Sequence, residues 1–299
     1  METQLDAIVE TKAVLENLRM EFGEEDPRYA EKLARMGVLL HQQGNSGEAA
    51  NHLRRAVSLH KEAGLADTPR HAIFLNNLAV TCRSLGKYQE ARECFLQALD
   101  VDRATVGENH PQFATHLNNL AGLHQEQGEF EEALPLLIQV LEIDRETVGE
   151  EDPQYATHLN NMAVLYLQLA QPTKALPLLQ LALEIGRAST GVESARYASR
   201  LNNMALVHSY LGKPEEALES LGQAMRIGQE LRNDDNIEQA VMLLNMACVQ
   251  RGLRHLQPAL EFAEQAHAIL RRLLGREHPH AEAAWRFIQN IKRQQRTVG

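Results

Sequence analysis

The side chains best suited to chemistry in this sequence are asparagines, and they come in pairs. Asn76-Asn77, Asn118-Asn119, Asn160-Asn161 and Asn202-Asn203 each follow a Leu and precede Leu-Ala or Met-Ala, and 42 residues separate each pair from the next. Asn245 keeps the register in Leu243-Leu244-Asn245-Met246-Ala247, and Leu33-Ala34-Arg35-Met36-Gly37 keeps it without Asn. An amide side chain offers one acceptor and two donors. A row of them at constant rise therefore matches the donors and acceptors of an extended peptide backbone. The same amides are also able to bond one repeat to the next, so recognition and stacking are both open to them.

Other chemistry finds no footing in the pattern. Thirteen His invite a search for metal ligands or a general base. His116 and His158 occupy one repeat position, and His110 and His278 one loop position, so their recurrence belongs to the repeat. No His-Glu-x-x-His, Gly-rich phosphate loop or Gly-x-Ser-x-Gly occurs. His278-Pro279-His280 is a lone pair that reads as solvent-exposed. Cys82, Cys94 and Cys248 are too scattered for a disulfide framework and read as small buried or half-buried hydrophobes. An enzyme needs a site that departs from the repeat, and none does. Catalysis, a metal and a cofactor are therefore not expected.

The elements that position the amides follow from the interval. A period of 42 residues means a solenoid, in which burial grows by stacking neighbours. Within one repeat a helix from about Pro111 to Gln127 leads through Gly128-Glu129-Phe130 into a second helix from about Glu131 to Val148. Gly44, Gly86, Gly128 and Gly212 fall in the turn; Ala49, Ala91, Ala133, Ala175, Ala217 and Ala259 recur near the start of the second helix, where a small side chain lets the helices approach. Pro135 and Pro177 fall near that start too. Repeats are joined by Gly-x-x-x-Pro at Gly23, Gly107, Gly149 and Gly275, where Gly ends one helix and Pro opens the next. Asp26 and Asp152 are N-caps there. Pro is lost at the junctions beginning Gly191 and Asn233, and Leu65 stands where Gly is expected.

Six repeats then occupy residues 23–279 as one continuous solenoid. Residues 1–22 form an amphipathic helix, the second helix of an incomplete leading repeat. Residues 280–299 add one more helix, with Trp285 in the register of Leu117 and a basic polar end at Arg286, Lys292, Arg293 and Arg296. It reads as a cap with a frayed Thr297-Val298-Gly299.

Apolar residues make up 44% of the chain and aromatic ones only 5%, and β-branched runs are scarce, so an all-α fold is expected. A net charge of −10 argues against nucleic acid or anionic lipid as partner. The acidic N-terminus lacks a signal-like pattern and no run reaches the length of a membrane span. A cytoplasmic location without membrane insertion is the expectation.

Small residues at Ala79, Ala121, Ala163 and Ala205, Gly at the turn and Ala early in the second helix resemble the tetratricopeptide repeat (TPR). The stretch from Leu141 to Ala163, with Asp152-Pro153 before Leu159-Asn160-Asn161-Met162-Ala163, is similar to the cargo-binding repeats of kinesin light chain and their prokaryotic relatives. The resemblance covers nearly the whole chain. It implies a right-handed superhelix with the first helices on the concave side, binding peptide segments of partner proteins. It also implies that Asn at this position holds ligand backbone. Kinesin light chains carry a heptad region before their repeats, which 22 residues cannot supply, so a stand-alone prokaryotic protein is expected.

Advancing about 100° per residue, Leu117, Leu120, Ala121 and His124 face the second helix, and Thr115, Asn119, Gly122 and Glu126 lie opposite. The same line carries Ile73, Asn77, Val80 and Ser84, then Thr157, Asn161, Val164 and Gln168, then Ser199, Asn203, Leu206 and Tyr210, then Val241, Asn245, Cys248 and Gly252. The expected peptide-binding residues are thus Asn77, Asn119, Asn161, Asn203 and Asn245 with Arg35, Arg83, Val80, Val164, Gln168, Leu206 and Tyr210. The first Asn of each pair lies on the flank toward a neighbouring repeat. Arg83, Arg200 and Arg251 sit just off the line, which lacks the Lys/Arg set of the TPR carboxylate clamp. The acidic excess of the second helices and loops reads as solvated surface. A non-catalytic adaptor that binds an extended peptide of a partner protein is the leading expectation. The alternatives are a self-associating scaffold and a sensor whose superhelix changes on binding a small signal or peptide.

Overall fold

A computed structural model of the chain describes residues 2–189, 191–231 and 236–298. Among these, all regular structure is helical. The first helices of the repeats are α2 (Pro27–Gln42), α4 (Pro69–Ser84), α6 (Pro111–Glu126), α8 (Pro153–Gln168), α10 (Ala195–Tyr210) and α12 (Ile237–Gly252). Their partners are α3 (Ser46–Glu62), α5 (Tyr88–Thr105), α7 (Phe130–Thr147), α9 (Pro172–Ser189), α11 (Pro214–Glu230) and α13 (Leu256–Leu274). Helix α1 (Glu2–Phe22) precedes them and α14 (Pro279–Val298) follows; Gly299 lies outside the described residues.

Every first helix is 16 residues long, because the same signals start and stop it. At the start, Asp26 and Asp152 accept from the backbone N–H two residues on, as expected. Thr68, Ser194 and Asn236 cap by accepting from the backbone N–H three residues on, and His110 accepts from that of Gln112 with a ring nitrogen. Asn233 lies outside the described residues. At the far end, Gly44, Gly86, Gly128 and Gly212 adopt positive φ, and Ala170 (+55°) and Arg254 (+65°) adopt it where Gly is missing. The junction expected to lack Gly has one a residue earlier: α3 is 17 residues long against 18 in α5, and Gly64 takes φ +72°. Pro135 and Pro177 sit inside α7 and α9, past the first turn, at exposed positions where the unpaired carbonyl meets water.

The chain divides into two compact halves, Met1–Gly149 and Glu150–Gly299. In the first, Leu53, Phe95 and Phe113 are fully buried between hairpins, and Ala49, Ala91 and Ala133 are at 0% exposure where each second helix crosses its first. In the second, Ala175, Ala217 and Ala259 repeat this, with Leu179 and Leu221 beside them. A larger side chain at these crossings overpacks the hairpin, at about 1–3 kcal/mol. On α14, Ala281, Ala284, Ile288 and Ile291 are buried, while Trp285 remains 49% exposed against the His267 ring.

Candidate functional site

The paired asparagines are cross-linked from repeat to repeat. In the first half Asn119 Nδ2 donates to Asn76 Oδ1 at 3.0 Å. In the second half Asn203 donates to Asn160 at 2.9 Å and Asn245 to Asn202 at 2.8 Å. Each bond runs from the second Asn of a pair, or from the lone Asn245, to the first Asn 43 residues earlier. Asn77 finds Ala34 at that offset, so the first repeat offers it no amide. Asn76 and Asn202 are buried, whereas Asn77, Asn119, Asn161, Asn203 and Asn245 are half-buried. The stacking role considered for these amides is thus present in the structure. It uses one donor of Asn119, Asn203 and Asn245, and each amide has a second N–H and a carbonyl besides.

The other residues expected on this line divide by exposure. Arg35 and Gln168 are exposed, as are Ile73, Tyr210 (65%) and Val241, while Val80, Val164 and Leu206 are half-buried. Arg83 is not a free groove cation. Its guanidinium reaches the next repeat, donating Nη1 to the Asn119 carbonyl at 3.2 Å and lying 3.5 Å from Glu126. Gly122 makes this possible, since a Cβ there would stand 2.8 Å from Nη1. Arg251 lies over the Phe287 ring at 4.7 Å. Neighbouring repeats are tied at half-buried positions by Arg54 to Glu90 and Arg92 to Glu129, and the Arg54 hydrogen bonds hold the Glu90 carboxyl below its usual range.

Behind the line lies a position that the sequence reading did not connect. At the joint between α5 and α6, Asp102 and His116 face each other at 2.6 Å, both buried, and Gln112 donates to Asp102 at 2.6 Å. One repeat earlier the same two positions hold His60 and Phe74, rings 4.9 Å apart, with His71 stacked on His60. In the second half they hold Gly186 and Arg200 at the joint of α9 and α10. Arg200 is only 4% exposed, and a Cβ on Gly186 would fall 2.4 Å from its Nη1. The signal was in the sequence as a 14-residue spacing between the two positions.

Burial raises the Cys82 and Cys94 thiols to about 11 and about 12, consistent with small buried hydrophobes. Cys248 differs from expectation: it is exposed, on the outward line of α12 beside Asn245. Among the described residues no group of His, Cys, Asp or Glu could hold a metal ion, and no helix is long and apolar enough to cross a membrane.

A profile described as Tetratricopeptide repeat matches residues 112–188 and 196–283, and a second of the same description matches 72–112. No curated protein matches the sequence. Among solved structures, the chain is similar to BtubC (BKLC) from P. vanneervenii, at 21% identity over 77% of this chain and 92% of that one, TM-score 0.62. It is similar to a putative kinesin light chain from P. anserina with nearly identical TPR-like repeats, at 25% identity over 69% and 98%, TM-score 0.56. The apo form of RapI follows at 18% identity over 90% and 99%, TM-score 0.61.

Proposed function

The chain belongs to the tetratricopeptide repeat family, and from that premise we propose that it is a non-catalytic adaptor whose first helices bind an extended peptide segment of a partner protein. One observation carries the reading. First helices of equal length present the same line in each repeat, and on it half-buried amides stand beside exposed apolar side chains at Ile73, Tyr210 and Val241. Amides with hydrogen-bonding capacity beyond their stacking bonds suit a peptide backbone, and the apolar positions suit its side chains. The second helices offer instead charges, several of them paired to one another as in Arg54–Glu90 and Arg92–Glu129.

Peptide-display selection on the wild-type chain, beside Asn161→Ala/Asn203→Ala, tests it, with circular dichroism on both. Because Asn203 also bonds to Asn160, Tyr210→Ala serves as a second variant that alters the line without touching that bond. A motif enriched by the wild type and weakened in both variants at equal helicity supports the adaptor. No enrichment by the wild type overturns it.

A further inference from the structure

Three arginines flank the line of first helices, and two of them have a partner within the chain. Arg83 has Glu126, and Arg251 has the face of Phe287. Arg200 has neither. It is the most deeply buried of the three, yet among the described residues no carboxylate pairs with it, and its hydrogen bond to Thr157 Oγ1 is long at 3.4 Å. Burial pushes its pKa down from the ordinary value, and the neighbouring Arg196 adds to the effect. A desolvated guanidinium without a counter-charge is costly, and a bound anion would offset that cost.

The guanidinium is not sealed in. A cavity of about 230 Å³ opens beside it, lined by Arg196, Ser199 and Arg200 of α10, Thr157 and Asn160 of α8 and Glu238 of α12. Thr157 and Ser199 belong to the outward line, so the cavity opens on the face already assigned to the peptide. The two guanidinium groups and the Ser199 hydroxyl are donors suited to an oxyanion, while the Thr157 hydroxyl donates to the Pro153 carbonyl at 3.0 Å and accepts from Arg200; a fork of N–H groups matches a carboxylate. Glu238 at the rim disfavours a dianionic phosphate more than a single negative charge. The line continues along α10 through Asn203, Leu206 and Tyr210, so a bound chain runs on past the cavity.

We propose that Arg196 and Arg200 form an anion subsite that takes the carboxylate of an internal Asp or Glu side chain of the bound peptide. The proposal rests on the peptide-binding reading above and adds the chemical class recognised at one place along the groove. Gly186 is part of the device: a Cβ there would stand against the Arg200 guanidinium and oblige it to shift.

The test uses the full chain and random peptides displayed with both ends blocked. The wild type is expected to enrich an acidic residue at one fixed position of its motif. For synthetic copies, Asp→Asn at that position is expected to weaken binding about tenfold. The variant Gly186→Asp/Arg200→His, which rebuilds the pair seen at Asp102 and His116, is expected to keep the rest of the motif and lose that preference, with Asp and Asn peptides binding within about twofold. Arg196→Ala is the second variant, at an exposed position where folding is not at stake. A motif without a fixed acid, or one whose acid preference survives both variants, overturns the subsite while leaving the peptide groove standing. Tighter binding of a phosphoserine peptide than of its Asp counterpart overturns the carboxylate assignment. No enrichment at all overturns the groove and the subsite together.

Discussion

The joint between α5 and α6 and the joint between α9 and α10 are built on the same two repeat positions, and they treat charge in opposite ways. At the first, Asp102 and His116 meet at 2.6 Å and Gln112 donates to the carboxylate, so the buried acid has polar neighbours within the chain. At the second, Gly186 has withdrawn its side chain and Arg200 fills the space, with a cavity beside it. A repeat fixes where a side chain goes without fixing what it does there. At one joint the buried acid has its polar neighbours within the chain; at the other, among the described residues, no carboxylate pairs with the buried guanidinium.

The sharpest way to break the comparison is to remove the acid from the complete joint. Asp102→Ala strips a partner from His116 and from Gln112 in a buried setting, and is expected to cost about 3 kcal/mol, read by hydrogen exchange as easier opening of α5 and α6. An effect below about 1 kcal/mol would show that the pair is not what closes this joint.

At the other joint the expected effects are smaller. Gly186→Ala places a methyl against the movable end of the Arg200 side chain; displacement of the guanidinium offsets the helix propensity gained, and a net change below about 1 kcal/mol is expected by thermal denaturation. Combined with Arg200→Met, which removes the clash, Gly186→Ala is expected to be more favourable than in the wild type, the coupling expected of side chains in contact. Arg200→Met alone is expected to raise stability by about 1 kcal/mol, since it removes a buried cation that no carboxylate among the described residues pairs with. A large loss instead would mean that the cation is neutralised within the chain.

The joint between α3 and α4 supplies the smallest effect, and a different readout. His60 and His71 are buried with rings stacked, and desolvation lowers the pKa of each below the ordinary 6.5. The sign follows from linkage. Above 6.5 both states are neutral and nothing changes; as pH falls below it, the unfolded chain takes up protons that burial denies to the folded one. Stability of this joint is therefore expected to fall as pH drops from 7 toward 5. His60→Phe/His71→Phe is expected to flatten that dependence in denaturation midpoints at the two pH values.

Much of this was legible in the chain. Gly and Pro punctuate each repeat so regularly that the helices expected at Pro111 and Glu131 begin within a residue of those positions. Ala at the crossings announced the close approach, and Asp26 and Asp152 announced the caps. What stayed hidden depends on side chains meeting across an offset. That Asn203 reaches back to Asn160, and Arg83 forward to Gly122, follows from the stacking angle of adjacent repeats and not from the periodicity of either helix. Arg200 was placed just off the line because a charged side chain on a helix is by default solvated; where it lies buried, Gly186, fourteen residues away in sequence, leaves its guanidinium room. Gly64 was missed because α3 ends one residue early, where a fixed register assumes none is lost.

The most direct test of the account is amide hydrogen exchange on the second half of the chain, with and without a peptide selected on the wild type. The account predicts slowed exchange along α8, α10 and α12, strongest around Asn203 and Arg200, with α9, α11 and α13 little changed. Protection confined to α9, α11 and α13 would contradict it, by placing the partner on the outer helices and leaving the asparagines with stacking as their whole task.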